Sequence, residues 1–102
     1  MIVRKRLPPT HPGELLRTEI LPAAGLTQDR LAVLIGVSRF TVNQILRERR
    51  SVTADMAHRL ARLFNTTPEF WLGLQQDVDL WRAAKDGYQQ HQKIKPLPKT
   101  AA

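Results

Sequence analysis

Residues 28–45 constrain the fold of this chain more than any other stretch, because their apolar side chains have the spacing of two short helices joined by a tight turn. Leu31 and Ile35 share one face of the first helix, while Val42 and Ile45 share one face of the second. These faces meet when the helices cross at a wide angle through a turn of about three or four residues. The spacing therefore predicts a helix-turn-helix unit.

Further positions in this stretch meet the steric demands of such a turn. Ala32 is small enough for the two helices to approach each other. Gly36 can take the positive φ through which the chain reverses, and Val37 fills the corner behind it. Thr27 and Ser38 stand where each helix needs an N-cap. The alternative is an αα-hairpin that only builds a helical core.

The outer face of the second helix, predicted over residues 38–48, favours DNA reading over a purely structural hairpin. With Val42 and Ile45 inward, helical geometry turns several polar side chains and one Phe outward. Arg can bond guanine O6 and N7, Asn or Gln can bond adenine N6 and N7, and Phe can pack on a thymine methyl. The predicted base-reading residues are Arg39, Phe40, Asn43 and Gln44.

Phosphate contacts are expected on both sides of this helix, because helix N-termini, small hydroxyls and Arg supply most of them. The predicted contacts are Thr27, Gln28, Ser38, Thr41, Arg47, Arg49, Arg50, Ser51 and Thr53. For Arg49 and Arg50 the alternative is a solvated turn. The 16 Lys and Arg residues against 9 Asp and Glu give a net charge of +7, which attracts nucleic acid first and anionic lipid second.

The rest of the chain is also predicted to be helical, since no stretch alternates with period two for long enough to demand a strand. A first helix over residues 14–21 is expected to stop at Pro22 and Gly25, and a fourth runs from the Thr53 cap to Asn65. The fold class is thus all-α with five helices. The predicted domains are a flexible basic arm (1–10), a helix-turn-helix domain (11–85) and a disordered tail (86–102).

The fifth helix, predicted over residues 68–84, has a narrow apolar seam typical of a helix that packs along another helix. One small domain would have difficulty burying both tryptophans, so we expect a two-fold partner helix and a homodimer. The predicted dimer contacts are Trp71, Leu74, Val78 and Trp81. In the alternative, Phe70, Trp71 and Leu74 complete the monomer core and only Trp81 is left at its edge.

The composition excludes several other classes. The absence of cysteine excludes disulfides and thiolate metal sites and fits a reducing cytoplasm. No run of about 18 apolar residues is present, so we expect neither a membrane span nor a membrane partner. The basic N-terminus lacks the apolar stretch of about 7 or more residues that a secretory signal requires.

We also expect no metal, no cofactor and no enzymatic activity. His11, His58 and His91 are far apart in sequence, and His11 is expected to be a cap or a surface residue. Ser38 and Ser51 have capping or turn roles and no evident base. Gly13, Gly25 and Gly36 are isolated turn residues, and we find no glycine-rich phosphate-binding loop.

Four stretches within residues 11–82 resemble the HigA family of antitoxins, small XRE-type helix-turn-helix proteins that partner HigB/RelE-like toxins. They are His11-Pro-Gly-Glu-Leu-Leu16; Leu31-Ala32 with Gly36-Val37-Ser38; Thr53-Ala-Asp-Met-Ala57 with Arg59-Leu60-Ala61; and Thr67-Pro-Glu-Phe-Trp-Leu-Gly-Leu-Gln75. The last is the most specific, since generic phage-type repressors lack it.

The resemblance implies an all-α homodimer in the bacterial cytoplasm, associated with the nucleoid, that represses its own operon. It further implies neutralisation of an mRNA-cleaving toxin by direct binding. A dimer would engage a palindromic operator of double-stranded DNA, with half-sites about 34 Å apart. Two other functions stay open: a stand-alone XRE-type regulator without a toxin, and a protein-interaction module in which the helix-turn-helix is only a scaffold.

Two departures from the family pattern affect the predicted helix over residues 38–48, which we call the reading helix. Relatives often end it with Asn-Gly, whose glycine is left-handed, whereas this chain has Arg47-Glu48-Arg49. We expect either a looser turn or a positive φ at Arg49, at a cost of about 1 kcal/mol. Phe40 stands where many relatives have proline, so the operator sequence cannot be carried over.

Overall fold

The computed structural model describes residues 7–98, and this part of the chain is all-α, as predicted, without a β-strand. Residues 1–6 of the predicted flexible arm, which include Arg4, Lys5 and Arg6, and residues 99–102 of the predicted tail lie outside the described residues. In chain order the helices are α1 (Pro12–Leu15), a π-helical segment (Leu16–Ile20), α2 (Leu21–Ala24), α3 (Gln28–Ile35), α4 (Arg39–Leu46), α5 (Ala54–Phe64), α6 (Pro68–Asp86) and α7 (Tyr88–Gln92).

The first three elements form one continuous helical segment over residues 12–24. His11 caps it, since its Nδ1 accepts a hydrogen bond from the Gly13 N–H at 2.8 Å. Pro22 does not end this segment, contrary to the prediction. Pro22 has no N–H for an α-helical bond to the Thr18 carbonyl, and the preceding turn widens to a π pattern that accommodates it. The segment ends instead at Gly25, which has φ 66°.

The predicted helix-turn-helix is confirmed in α3 and α4. The Thr27 Oγ1 accepts from the Arg30 N–H at 3.1 Å, and the Ser38 Oγ accepts from the Thr41 N–H at 3.0 Å, so both helices begin at their predicted caps. Gly36 reverses the chain at φ 72°. The inward side chains are all buried in one core: Leu31, Ala32, Ile35, Val42 and Ile45. The reading helix α4 is shorter than predicted because Ser38 lies outside it as the cap and Leu46 is its last residue.

Helices α5 and α6 complete the core, and they bury Trp71 within a single chain. Its side chain is fully buried, its ring lies 6.2 Å from Phe64 and 5.1 Å from Phe70 between centroids, and its Nε1 donates to the Thr66 Oγ1 at 2.8 Å. Val78 is also buried. The prediction that Trp71 and Val78 face a partner helix is therefore wrong, because neither side chain has surface left for one.

The other two predicted dimer residues remain partly accessible. Leu74 is half-buried against the core, and Trp81 is half-buried with the Lys85 ammonium 4.9 Å from its ring centroid. The helical part of the chain extends beyond the predicted boundary at residue 85. Helix α6 runs to Asp86, and after Gly87 the short helix α7 follows. Residues 88–92 are therefore helical, whereas the sequence predicted a disordered tail.

Candidate nucleic-acid interface

The four predicted base-reading residues lie together on α4, but they differ in exposure. Arg39 is exposed at the N-terminal end, and Phe40 is 64% exposed. Asn43 and Gln44 are half-buried one turn further along, at the edge of the contact between the helices. The surface of α4 therefore offers a guanidinium, an aromatic ring and two amides, which are groups that can contact base edges in a major groove.

Arg39 is engaged with a carboxylate of the neighbouring helix. Its Nε donates to the Asp29 Oδ1 at 2.8 Å, and both side chains are more than half exposed. Because an exposed pair of this kind contributes at most about 1 kcal/mol, the guanidinium can exchange Asp29 for a base. Asp29 thus positions the Arg39 side chain at the start of α4 and leaves its guanidinium accessible to DNA.

Asn43 is oriented by a residue at the N-terminus of α3. Its Nδ2 donates to the Gln28 Oε1 at 3.3 Å, which leaves the second Nδ2 hydrogen and the Oδ1 free to pair with an adenine. Gln28 and Asn43 both line a groove of about 380 Å³ between α2, α3 and α4. Gln28, predicted as a phosphate contact, therefore also lies against a base-reading side chain.

Hydroxyls and a guanidinium meet at the first turn of α4. The Ser38 Oγ donates to the Thr41 Oγ1 at 2.9 Å, and the Arg50 Nη1 donates to the same Thr41 oxygen at 3.2 Å. The Arg50 guanidinium also lies 5.8 Å from the Phe40 ring centroid. The structure thus brings three predicted phosphate contacts beside a predicted base contact.

The remaining predicted phosphate contacts lie on the loop after α4 and at helix caps. Arg47, Arg49 and Ser51 are exposed on that loop. Thr27 and Thr53 are exposed but use their Oγ1 atoms as caps, Thr53 accepting from the Met56 N–H at 3.2 Å. A phosphate contact at these two positions would have to use the hydroxyl hydrogen or a nearby backbone N–H.

Gln75 on α6 tethers this basic loop, a role that sequence reasoning missed. Its Oε1 accepts from the buried Val52 N–H at 2.9 Å, and its Nε2 donates to the Asp79 Oδ1 at 3.0 Å. A polar residue on the same helical face as Trp71 and Val78 was the available signal, because a buried amide needs a specific partner.

The turn that ends α4 is closed by Glu48, so neither a looser turn nor a positive φ at Arg49, the two alternatives expected from the sequence, is found. Glu48 has φ 63°, its N–H donates to the Ile45 carbonyl at 2.9 Å, and the Arg49 N–H donates to the Gln44 carbonyl at 2.9 Å. These two bonds form a Schellman motif. The left-handed conformation costs a non-glycine residue about 1–2 kcal/mol.

Arg17 contacts this turn from the first helical segment. Its Nη1 donates to the Leu46 carbonyl, and its Nη2 lies 3.2 Å from the Glu48 Oε2. The same segment approaches α4 so closely that a Cβ on Gly13 would lie 1.8 Å from the Ile45 carbonyl oxygen. Only glycine fits at position 13, and the end of the reading helix rests against this backbone.

Other kinds of site find no support in the part of the chain that the structure describes. Between residues 7 and 98 no three His, Cys, Asp or Glu side chains lie close enough to hold a metal ion. No helix in that range is both long and apolar enough to cross a membrane.

Comparisons with known proteins identify the family. A family model described as Helix-turn-helix matches residues 16–71, which include all the proposed DNA contacts. Antitoxin HigA-1 of Vibrio cholerae is 41% identical over 90 residues, covering 87% of this chain and 84% of its own length. The chain belongs to the HigA family of antitoxins. The resemblance that the four sequence stretches indicated is thus confirmed, and the family is one of DNA-binding antitoxins rather than enzymes.

Solved structures of HigA and GraA antitoxins share the fold. A Pseudomonas aeruginosa antitoxin HigA, solved with the higBA promoter, is 43% identical, covers 88% of this chain and 99% of its own, and superposes with a TM-score of 0.84. An antitoxin GraA in complex with its operator is 44% identical, covers 90% of this chain and 94% of its own, and has a TM-score of 0.83.

Proposed function

We propose that this HigA-family chain binds its own operator as a homodimer, with α4 in the major groove of double-stranded DNA, and represses its operon. One observation carries the proposal: the guanidinium and amides on the surface of α4 stand beside a loop of exposed arginines. That combination supplies both base contacts, which give specificity, and phosphate contacts, which fix the helix in the groove. The relatives solved with a promoter and with an operator support the same function.

The residues keep the roles that the sequence suggested. Direct base contacts come from Arg39, Phe40, Asn43 and Gln44. Phosphate contacts come from Thr27, Gln28, Ser38, Thr41, Arg47, Arg49, Arg50, Ser51 and Thr53. The functional domain begins at residue 11, as the sequence suggested, and includes all of α6, which ends at Asp86.

The dimer brings two copies of α4 to a palindrome with half-sites about 34 Å apart. Because Trp71 and Val78 are buried within one chain, the proposed contact uses Leu74 and Trp81. Leu80 is included in the proposed contact because this apolar side chain is 61% exposed and lies next to Trp81 in α6, about 100° around the helix.

The second part of the proposal is that the chain neutralises an mRNA-cleaving HigB/RelE-like toxin by direct binding, in the bacterial cytoplasm at the nucleoid. Membership of the HigA family supports it. The test is to co-express the chain with a small basic protein encoded by an adjacent reading frame. Co-purification and loss of mRNA cleavage are expected. If no such frame exists, or the two proteins do not associate, the chain is a stand-alone regulator.

DNA binding is tested by titrating the purified protein into a duplex of its own upstream region and into a scrambled duplex, each at two salt concentrations. We expect a preference for the native duplex of at least about 1000-fold, with a salt slope that reports the phosphate contacts. Equal and steeply salt-dependent binding to both duplexes would contradict the proposal and favour the interaction-module alternative.

A further inference from the structure

We propose that Arg17 is a positioning residue for the reading helix, which it holds through the left-handed turn at Glu48. This pair would then set how well the chain discriminates its operator from other DNA. The inference rests on the proposed DNA-binding function, but it concerns two residues that no base contact or phosphate contact requires.

The geometry places Arg17 at the point where α4 ends. One arm of its guanidinium donates to the Leu46 carbonyl, and the other pairs with the Glu48 carboxylate at 3.2 Å. A planar guanidinium with several fixed donors can make both contacts at once, one from each Nη nitrogen. Arg17 therefore fixes both the last turn of α4 and the residue that reverses the chain after it.

Glu48 needs such a partner because of its backbone conformation. Its φ of 63° is one that glycine adopts freely and a longer side chain does not. The pairing with Arg17 stabilises the turn and so offsets the conformational cost that a glycine at position 48 would not have.

This turn determines where the DNA contacts lie. Gln44 supplies the carbonyl that accepts from the Arg49 N–H, so the turn links a base-reading residue directly to the basic loop. If the turn opens, Arg47 and Arg49 no longer leave α4 in a fixed direction. Binding to the matched site then weakens more than binding to unmatched DNA, because only the matched complex needs every contact in register.

The first experiment measures the turn itself by amide hydrogen exchange in the full chain without DNA. Arg17→Ala is expected to speed exchange at the Glu48 and Arg49 amides about fivefold, while amides within α5 stay unchanged. The matched control is Arg62→Ala, which removes an exposed arginine of α5 and should leave both turn amides as they were. Unchanged exchange at the turn in Arg17→Ala would overturn the proposal.

The second experiment measures DNA binding with the native and scrambled duplexes. Arg17→Ala is expected to weaken binding to the native duplex about fivefold and to leave scrambled binding and the salt slope unchanged. In a Glu48→Gly background, where the turn needs no support, the same substitution should cost less than about twofold.

Two outcomes of this cycle overturn the proposal. An equal loss with and without Glu48→Gly would mean that Arg17 does not act through the turn. A loss on both duplexes with a salt slope lower by about one would make Arg17 a phosphate contact. If the wild-type chain shows no preference for the native duplex, the proposed function fails, and the exchange measurement alone then decides whether Arg17 holds the turn.

Discussion

Among single residues, His11 is the one through which we expect the stability of the fold to depend on pH. Its side chain is 2% exposed, and its Nδ1 accepts the Gly13 N–H, so the ring must be neutral at that nitrogen. Burial lowers the pKa of His11 below its usual 6.5, an effect that the charges of Glu48 and Asp79 oppose and those of Arg82 and Arg17 reinforce. Protonation would remove the acceptor that caps α1.

The sign of the pH dependence follows from this lowered pKa. Below about pH 6.5 the unfolded chain binds a proton at His11 that the folded chain does not, so the free energy of unfolding decreases as the pH falls towards the folded pKa. We expect thermal unfolding at a lower temperature at pH 5.5 than at pH 7.5. His11→Asn keeps a capping acceptor and should reduce this difference, whereas His58→Asn, at an exposed position, should not. The same pH dependence in wild type and His11→Asn would contradict the assignment.

A second prediction at this scale separates base contacts from phosphate contacts. Gln44→Ala is expected to lose about 1–3 kcal/mol of discrimination at one base position and little affinity for other DNA. Arg49→Ala, on the exposed loop, should weaken binding to all sequences and lower the salt slope by about one. Titration of both variants against duplexes with single-base changes is the measurement. If the two variants behave alike, the assignment of roles is wrong.

At the scale of elements, the loop after α4 depends on a helix that is distant in sequence. Gln75→Leu preserves the approximate side-chain volume but leaves the buried Val52 N–H without its acceptor. We expect a decrease of about 1–3 kcal/mol in the free energy of unfolding, measured by urea denaturation. The control is Gln76→Leu, whose side chain is exposed and should change stability by less than about 0.5 kcal/mol. Equal effects of the two substitutions would show that the tether does not contribute.

The elements that the sequence predicted correctly are those specified by local chemistry. Thr27 and Ser38 cap α3 and α4, Gly36 takes the left-handed turn, and Asn65 with φ 56° ends α5. Each of these interactions involves only a few neighbouring residues, so the order of residues alone determines it. The reading helix and its exposed residues were therefore predictable without any knowledge of tertiary contacts.

The errors at Glu48 and Trp71 lie where a distant segment decides the local structure, whereas the error at Pro22 is local. Pro22 usually ends a helix, but here a π-helical turn accommodates it. Glu48 rather than Arg49 adopts the positive φ, and Arg17, 31 residues away, pairs with it. The sequence predicts a partner helix over Trp71, but Phe64 and the rest of the core bury this side chain within one chain. That burial depends on how α5 and α6 pack. Helical spacing shows which face is apolar but not what covers it.

At the scale of the whole molecule, the reading helix is supported from several sides. The Gly13 backbone lies against its C-terminal end, α3 packs along it in the core, and Gln75 holds the loop that follows it. These supports come from both ends of the folded chain. We expect these contacts to keep the proposed base-reading side chains in register and to reduce the ordering that DNA binding requires.

The proposed dimer is a property of the whole molecule, because in the proposed operator complex each copy of α4 would cover one half-site. Leu80 is 61% exposed on α6, so Leu80→Glu should leave the monomer fold intact while placing a charge in the proposed dimer contact. We expect sedimentation to show a dimer for wild type and for the control Gln76→Glu, and a concentration-dependent monomer for Leu80→Glu.

On a palindromic duplex the dimeric forms should bind as two subunits together. Leu80→Glu should bind one half-site at a time with much lower affinity, since the effective concentration of the second copy of α4 is lost. An unchanged dimer in Leu80→Glu would place the two-fold contact elsewhere. One wild-type subunit per minimal operator would show that the chain reads DNA as a monomer.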